Sequence, residues 1–129
     1  MTRPPAQTFQ DLIVWQKAMD LAEQCYQATR LFPSEERFGL TNQIRRAAVS
    51  IPSNIAEGHG RAHTKEFLNH LSMVRGSINE LETQLEISHR VGFMSEESFK
   101  PLLALCDEIG RMTTVLRQKL ESRVLPPTP

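Results

Sequence analysis

Apolar residues return at spacings of three and four along most of this chain, and no segment alternates with period two. That pattern predicts helices and no strand. A first helix is expected from Asp11 to Leu31, with Leu12, Trp15, Met19, Ala22, Tyr26 and Thr29 on one face and Pro33 ending it. A second begins loosely at Ser34-Glu35-Glu36 and becomes periodic from Thr41, its stripe being Leu40, Ile44, Ala48, Ile51, Ile55 and Ala62. Pro52 lies inside that stripe and removes the hydrogen bond to the Ala48 carbonyl. The stripe keeps its phase across the proline, so a kinked but continuous helix is expected, weakened at its end by Gly58 and Gly60. Thr64 reads as the cap of a third helix with Phe67, Leu71, Val74, Ile78, Leu81 and Leu85 on one face, and Gly92 stands where a left-handed C-terminal residue belongs. Ser95 reads as the cap of a fourth, with Glu96 and Glu97 in its first turn, Leu102, Leu105, Ile109, Met112, Leu116 and Leu120 as its stripe, and Pro101 bending its start.

The three connections are short, and short loops make consecutive helices antiparallel neighbours. The expected fold is all-α, an up-down-up-down antiparallel four-helix bundle. One domain spans 1–129, with loosely ordered ends at 1–8 and 124–129. Composition agrees, since 129 residues with 40% hydrophobic side chains suit one globular core. Cys25 and Cys106 are far apart and each sits in an apolar pattern, which suggests buried thiols and a cytoplasmic protein. The start, Met1 to Pro5, has no apolar run behind it and no segment approaches a membrane span, so neither export nor a membrane partner is expected.

Net charge is zero, with 15 basic and 15 acidic residues, which gives no global pull toward nucleic acid. The charges are nonetheless segregated. Residues 37–65 hold Arg37, Arg45, Arg46, Arg61 and Lys65 against Glu57 alone, whereas seven acids in residues 80–108 face only Arg90 and Lys100. Those five cations are the candidate nucleic-acid contacts.

Motifs of catalysis and metal binding are sparse. Glu86-Ile87-Ser88-His89 is one Glu-x-x-His step where a di-iron bundle needs two, and Glu66 is followed at the third position by Asn69. His59 and His63 are four apart but flank Gly60, with only Glu57 or Glu66 near as a third ligand. Gly58-His59-Gly60-Arg61 follows a helix, so it lacks the strand-loop-helix setting of a phosphate loop. Neither a nucleophile elbow nor a Cys-x-x-Cys pair is present. No cofactor and no enzymatic activity are expected.

One feature exceeds a plain bundle. Gln43, Arg46, Ser50, Asn54, Glu57 and Arg61 recur at spacings of three and four, a polar line beside the apolar stripe of the second helix. It is either a solvated face laced with ion pairs or a face pressed on another subunit, where Ala47 and Ser50 allow close approach. The run from Gln43 to Gly58 around Ser50-Ile51-Pro52-Ser53-Asn54-Ile55-Ala56-Glu57-Gly58 carries a resemblance. So do Asp11 to Ala18, Glu66-Phe67 and Glu80 to Leu85. Together they resemble the bacterial four-helix-bundle family, also called the 23S rRNA intervening-sequence protein family because some members are encoded inside insertions in those genes.

The resemblance covers nearly the whole chain. It implies the bundle fold and, in similar proteins, a homopentameric ring, but no reaction. A related branch serves as the accessory protein of diversity-generating retroelements, where a basic pentamer contacts nucleic acid and a reverse transcriptase. Two functions are therefore expected in competition: a homo-oligomeric scaffold or interaction module, or a sequence-tolerant nucleic-acid-binding ring acting with a nucleic-acid-processing protein.

Overall fold

The computed structural model describes residues 8–124. A short 3-10 turn, Phe9–Asp11, leads into α1 (Ile13–Thr29). A second 3-10 turn, Ser34–Glu36, precedes α2 (Leu40–His59), and α3 (Thr64–Arg90) and α4 (Glu96–Val124) complete the chain. Each helix packs on its sequence neighbour and α4 closes on α1, with no diagonal packing among the described residues. The result is an up-down-up-down four-helix bundle, and no strand is present among those residues. The loose ends expected at 1–8 and 124–129 lie outside the described residues except for Thr8, which caps the first turn, and Val124, which ends α4.

The core is a continuous apolar cluster. Leu21, Ile44, Ile51, Ile55, Leu71, Leu81, Leu85 and Ile109 are fully buried, and each such side chain contributes about 1.5–3 kcal/mol through removal from water. The expected stripes of α2 and α3 lie in this core, apart from Leu40 and Phe67, which are half-buried, and Ala62, which is exposed beyond the end of α2. In α4, Leu102, Ile109 and Leu120 are buried and Leu105, Met112 and Leu116 half-buried, while Cys106 and Thr113 complete the inner face.

The expectation for α1 is corrected. Met19 and Tyr26 are 44% and 39% exposed, and the buried face is Val14, Ala18, Leu21, Ala22, Cys25 and Thr29. Two rows with three-four spacing coexist on this helix, displaced by one residue and hence by about 100°. The row with small Ala18 and Cys25 lets neighbouring helices approach, so it turns inward. Trp15 stays half-buried against Phe9, ring centroids 5.2 Å apart.

Other boundaries also move. Ser34–Glu36 is a separate 3-10 turn, and Glu36 Oε2 accepts the Leu40 amide at 3.0 Å where α2 begins. Helix α2 is continuous through the buried Pro52, as its unbroken stripe requires. Thr64 is the first residue of α3, and His63 occupies the cap position with no side-chain cap bond. Ser95 Oγ does accept the Ser98 amide at 3.3 Å, α4 runs on through Pro101, and Gly92 has φ +88°.

Candidate functional site

The polar line of α2 is built at the α2–α3 seam, and Gly58 is what brings the two helices together there. A Cβ at Gly58 would stand 2.8 Å from both His70 Cβ and Phe67 Cδ1, closer than any side chain tolerates. With the backbones this near, short polar groups meet across the seam. Asn54 is the hub: its Nδ2 donates to the Ser50 carbonyl (2.9 Å) and Ser50 Oγ (3.1 Å), and its Oδ1 stands 3.0 Å from His70 Nδ1. With Oδ1 as acceptor, His70 carries its proton on Nδ1. Ser50 Oγ in turn bonds Ser77 Oγ at 2.8 Å.

Serine, histidine and asparagine so close together invite a comparison with nucleophilic catalysis. The connectivity is wrong for it, because Ser50 reaches His70 only through Asn54, and a general base must bond the hydroxyl it deprotonates. The seam is therefore a hydrogen-bonded lock between two helices.

Beyond Ser50 the seam opens into a groove of about 440 Å³ lined by Asn42, Gln43, Arg46, Ser50, Ser77, Glu80 and Gln84. Among the described residues Arg46 and Glu80 are exposed and have no bonding partner, and the buried Gln84 Oε1 has no donor. A buried acceptor left without a donor costs about 1–3 kcal/mol. Val49 is exposed on one side of the groove. Met73, also exposed, shares the α3 stripe of His70 and Ser77 by its spacing.

The five candidate cations do not form one patch. Arg61 pairs with Glu57 at 2.8 Å and approaches Glu66 at 4.0 Å, with both ends of the Glu57 pair about half exposed. Arg45 lies 4.6 Å over the Tyr26 ring and donates through Nε to Thr29 Oγ1 (2.9 Å) and through Nη2 to the Tyr26 carbonyl (3.4 Å). Arg37 covers its neighbour Phe38 at 5.0 Å. Arg46 and Lys65 are exposed and without partners among the described residues. Arg37 precedes α2 and Lys65 follows it, so about 30 Å of helix separates them.

Two further histidines pack on phenylalanine rings. His59 meets Phe67 edge-on at 6.0 Å, and His89 stacks on Phe99 at 4.4 Å with Nδ1 3.0 Å from the Met94 carbonyl. Among the described residues no three His, Cys, Asp or Glu side chains stand together as a metal site, and no helix is long and apolar enough to cross a membrane. Both cysteines are fully buried. Burial pushes the Cys25 thiol up to about 12, and burial, Cys25 and the Glu82 carboxylate push Cys106 further still.

Sequence reading finds the α2 half of the seam and misses the α3 half, His70, Ser77 and Gln84. Their signal is present, since the three are seven residues apart and so share one face of α3.

Fold and seam define a class, the four-helix bundles whose second and third helices are locked by half-buried polar side chains. Within that class the chain belongs to the 23S rRNA-intervening sequence protein family, whose model matches residues 10–115. In structure it is similar to a protein of unknown function from the S23 ribosomal protein family of Bacteroides thetaiotaomicron. The identity is 23% and the TM-score 0.76, over 82% of this chain and 96% of that one. That likeness shows the fold. No curated protein matches the chain.

Proposed function

We propose that this protein is a non-enzymatic, self-assembling bundle of the cytoplasm, a homopentameric scaffold or interaction module whose outer α2 face meets another subunit. The observation that carries this reading is the groove beside the α2–α3 seam. Arg46 and Glu80 line it without partners, and Gln84 Oε1 lacks a donor. Exposed Val49, next to Arg46 and Ser50 on the outer side of α2, adds apolar area. A lone bundle gains nothing from that arrangement, whereas a neighbour would supply both the donors and the cover. The number five comes from the family resemblance.

Light scattering at micromolar concentration tests the reading. The expected mass is near five times 14.7 kDa, and Val49→Arg, which changes an exposed side chain, reduces it. A monodisperse monomer for the unaltered chain overturns the proposal.

The alternative, a nucleic-acid-binding ring, draws on Arg46 and Lys65, which are exposed and unpaired. Repeated around a ring, such weak phosphate contacts become one multivalent surface whose affinity falls steeply with salt. Titration of labelled RNA and DNA at two salt concentrations reads this directly, and absence of binding at low salt leaves the scaffold alone.

A further inference from the structure

The bundle carries two complementary surfaces on opposite edges. On the α1–α2 edge, a groove of about 550 Å³ is lined by Tyr26, Asn42, Arg45, Arg46, Val49 and Ser50. It holds two arginines and no acid. Arg45 is fixed in place by the Tyr26 ring, Thr29 Oγ1 and the Tyr26 carbonyl, all of them neutral, and Arg46 has no partner among the described residues. Neither guanidinium meets a carboxylate here, so each keeps its charge available to a carboxylate from outside.

On the α3 side away from α2 the chemistry is reversed. Thr83 and Ile87 stand four apart, which makes them one ridge of the helix. Both are exposed, Ile87 at 44%. Beside that ridge run Glu82 and Glu86. Glu82 marks the α3–α4 edge, because its carboxylate acts on the Cys106 thiol of α4. Glu86 is balanced only by a loose 3.8 Å approach of the exposed Arg90.

The two surfaces also match in height. The Ser50–Ser77 and Asn54–His70 bonds fix the antiparallel register of α2 and α3. The first turns of α2, which carry Arg45 and Arg46, therefore lie in the same half of the bundle as the last turns of α3, which carry Glu82 to Ile87. We propose that a second copy of this chain seats its Thr83–Ile87 ridge in the α1–α2 groove, with its Glu82 and Glu86 meeting Arg45 and Arg46.

This contact is heterologous: each subunit offers the groove to one neighbour and the ridge to another. Apolar Tyr26 and Val49 cover Ile87, and the charges around it set the register and exclude the reverse pairing. Contacts at one height on opposite edges turn a chain of subunits into a closed ring when the rotation between neighbours closes. The inference rests on self-assembly as proposed above and assigns its two faces.

Charge reversal on each face separately, followed by mixing, tests it. Arg46→Glu and Glu86→Arg both change partly or fully exposed side chains, and circular dichroism checks that each variant keeps its helices. Each variant alone should associate at least about tenfold more weakly than the unaltered chain, through like-charge opposition at the contact. An equimolar mixture should co-assemble with the two chains alternating, because the intact ridge of the Arg46→Glu chain meets the intact groove of the Glu86→Arg chain and the two reversed faces also attract. The double variant should assemble again. Single variants that assemble as well as the unaltered chain overturn the pairing. So does a mixture that stays monomeric. Either result leaves self-assembly standing, whereas a monomeric unaltered chain removes both proposals.

Discussion

Glycines show how much a single residue decides here. At Gly58 a methyl group would stand 2.8 Å from His70 Cβ and Phe67 Cδ1, whereas at Gly76, on the exposed side of α3, nothing lies within 4 Å. The same substitution should therefore have opposite signs. Gly58→Ala should cost about 1–3 kcal/mol by overpacking the seam, and Gly76→Ala should add roughly 0.5–1 kcal/mol by removing backbone freedom from the unfolded chain. Urea denaturation of both variants reads the difference, and equal midpoints would show that α2 and α3 are not in tight contact at Gly58. Helix propensity alone treats the two positions alike, so nothing in the local sequence separates them. The Glu57–Arg61 pair teaches a similar lesson from the other direction. Its spacing makes the pairing legible, but its exposure makes it a surface pair worth about 0–1 kcal/mol within one chain.

At the scale of the element, the glycine that ends α3 was readable from its neighbours, whereas the inward face of α1 was not. Gly92 has φ +88°, where an L side chain is strained. Gly92→Ala should cost about 1–2 kcal/mol, and Gly92→Asn less, because asparagine tolerates that conformation. Thermal melts of the two variants check the order. The position was marked by a glycine between a helical pattern and a capping serine, information carried entirely by neighbours in sequence. The inward face of α1 was not marked in that way. Its two rows, one with Trp15, Met19 and Tyr26 and one with Val14, Ala18, Leu21 and Cys25, have the same spacing. The first row carries the larger side chains, but the smaller one fits between α2 and α4. Tyr26 then finds its use at the surface, under Arg45.

For the whole molecule, the two cysteines tie stability to pH. Cys25 sits at about 12 against an ordinary value of 9.0, and Cys106 is raised further, in both cases first by burial. A thiol whose folded value is raised stabilises the fold fully below its unfolded value, because above that pH the unfolded chain releases a proton that the folded chain keeps. Stability should thus be level up to about pH 9 and fall as pH rises toward 12. Denaturation midpoints across that range test the sign. A thiol-labelling reagent at pH 8 should modify both cysteines in urea and neither in the native protein, since the thiolate is the reactive form and burial denies it.

The sequence by itself determined the number of helices, their order, their approximate ends and the apolar faces of α2 and α3. Spacing, proline, glycine and caps are local, and short loops leave few ways to fold four such helices. It also exposed the polar line of α2, together with a family resemblance. Only the tertiary structure decided which row of α1 turns inward, which α3 residues complete the seam, and which arginines are already engaged. These outcomes depend on distances between groups far apart in the chain: Arg45 to Thr29, Asn54 to His70, Ser50 to Ser77. Periodicity states which side chains share a face, but the packing of one face against another selects among faces of equal period, and that selection is made by shape and hydrogen bonding across helices.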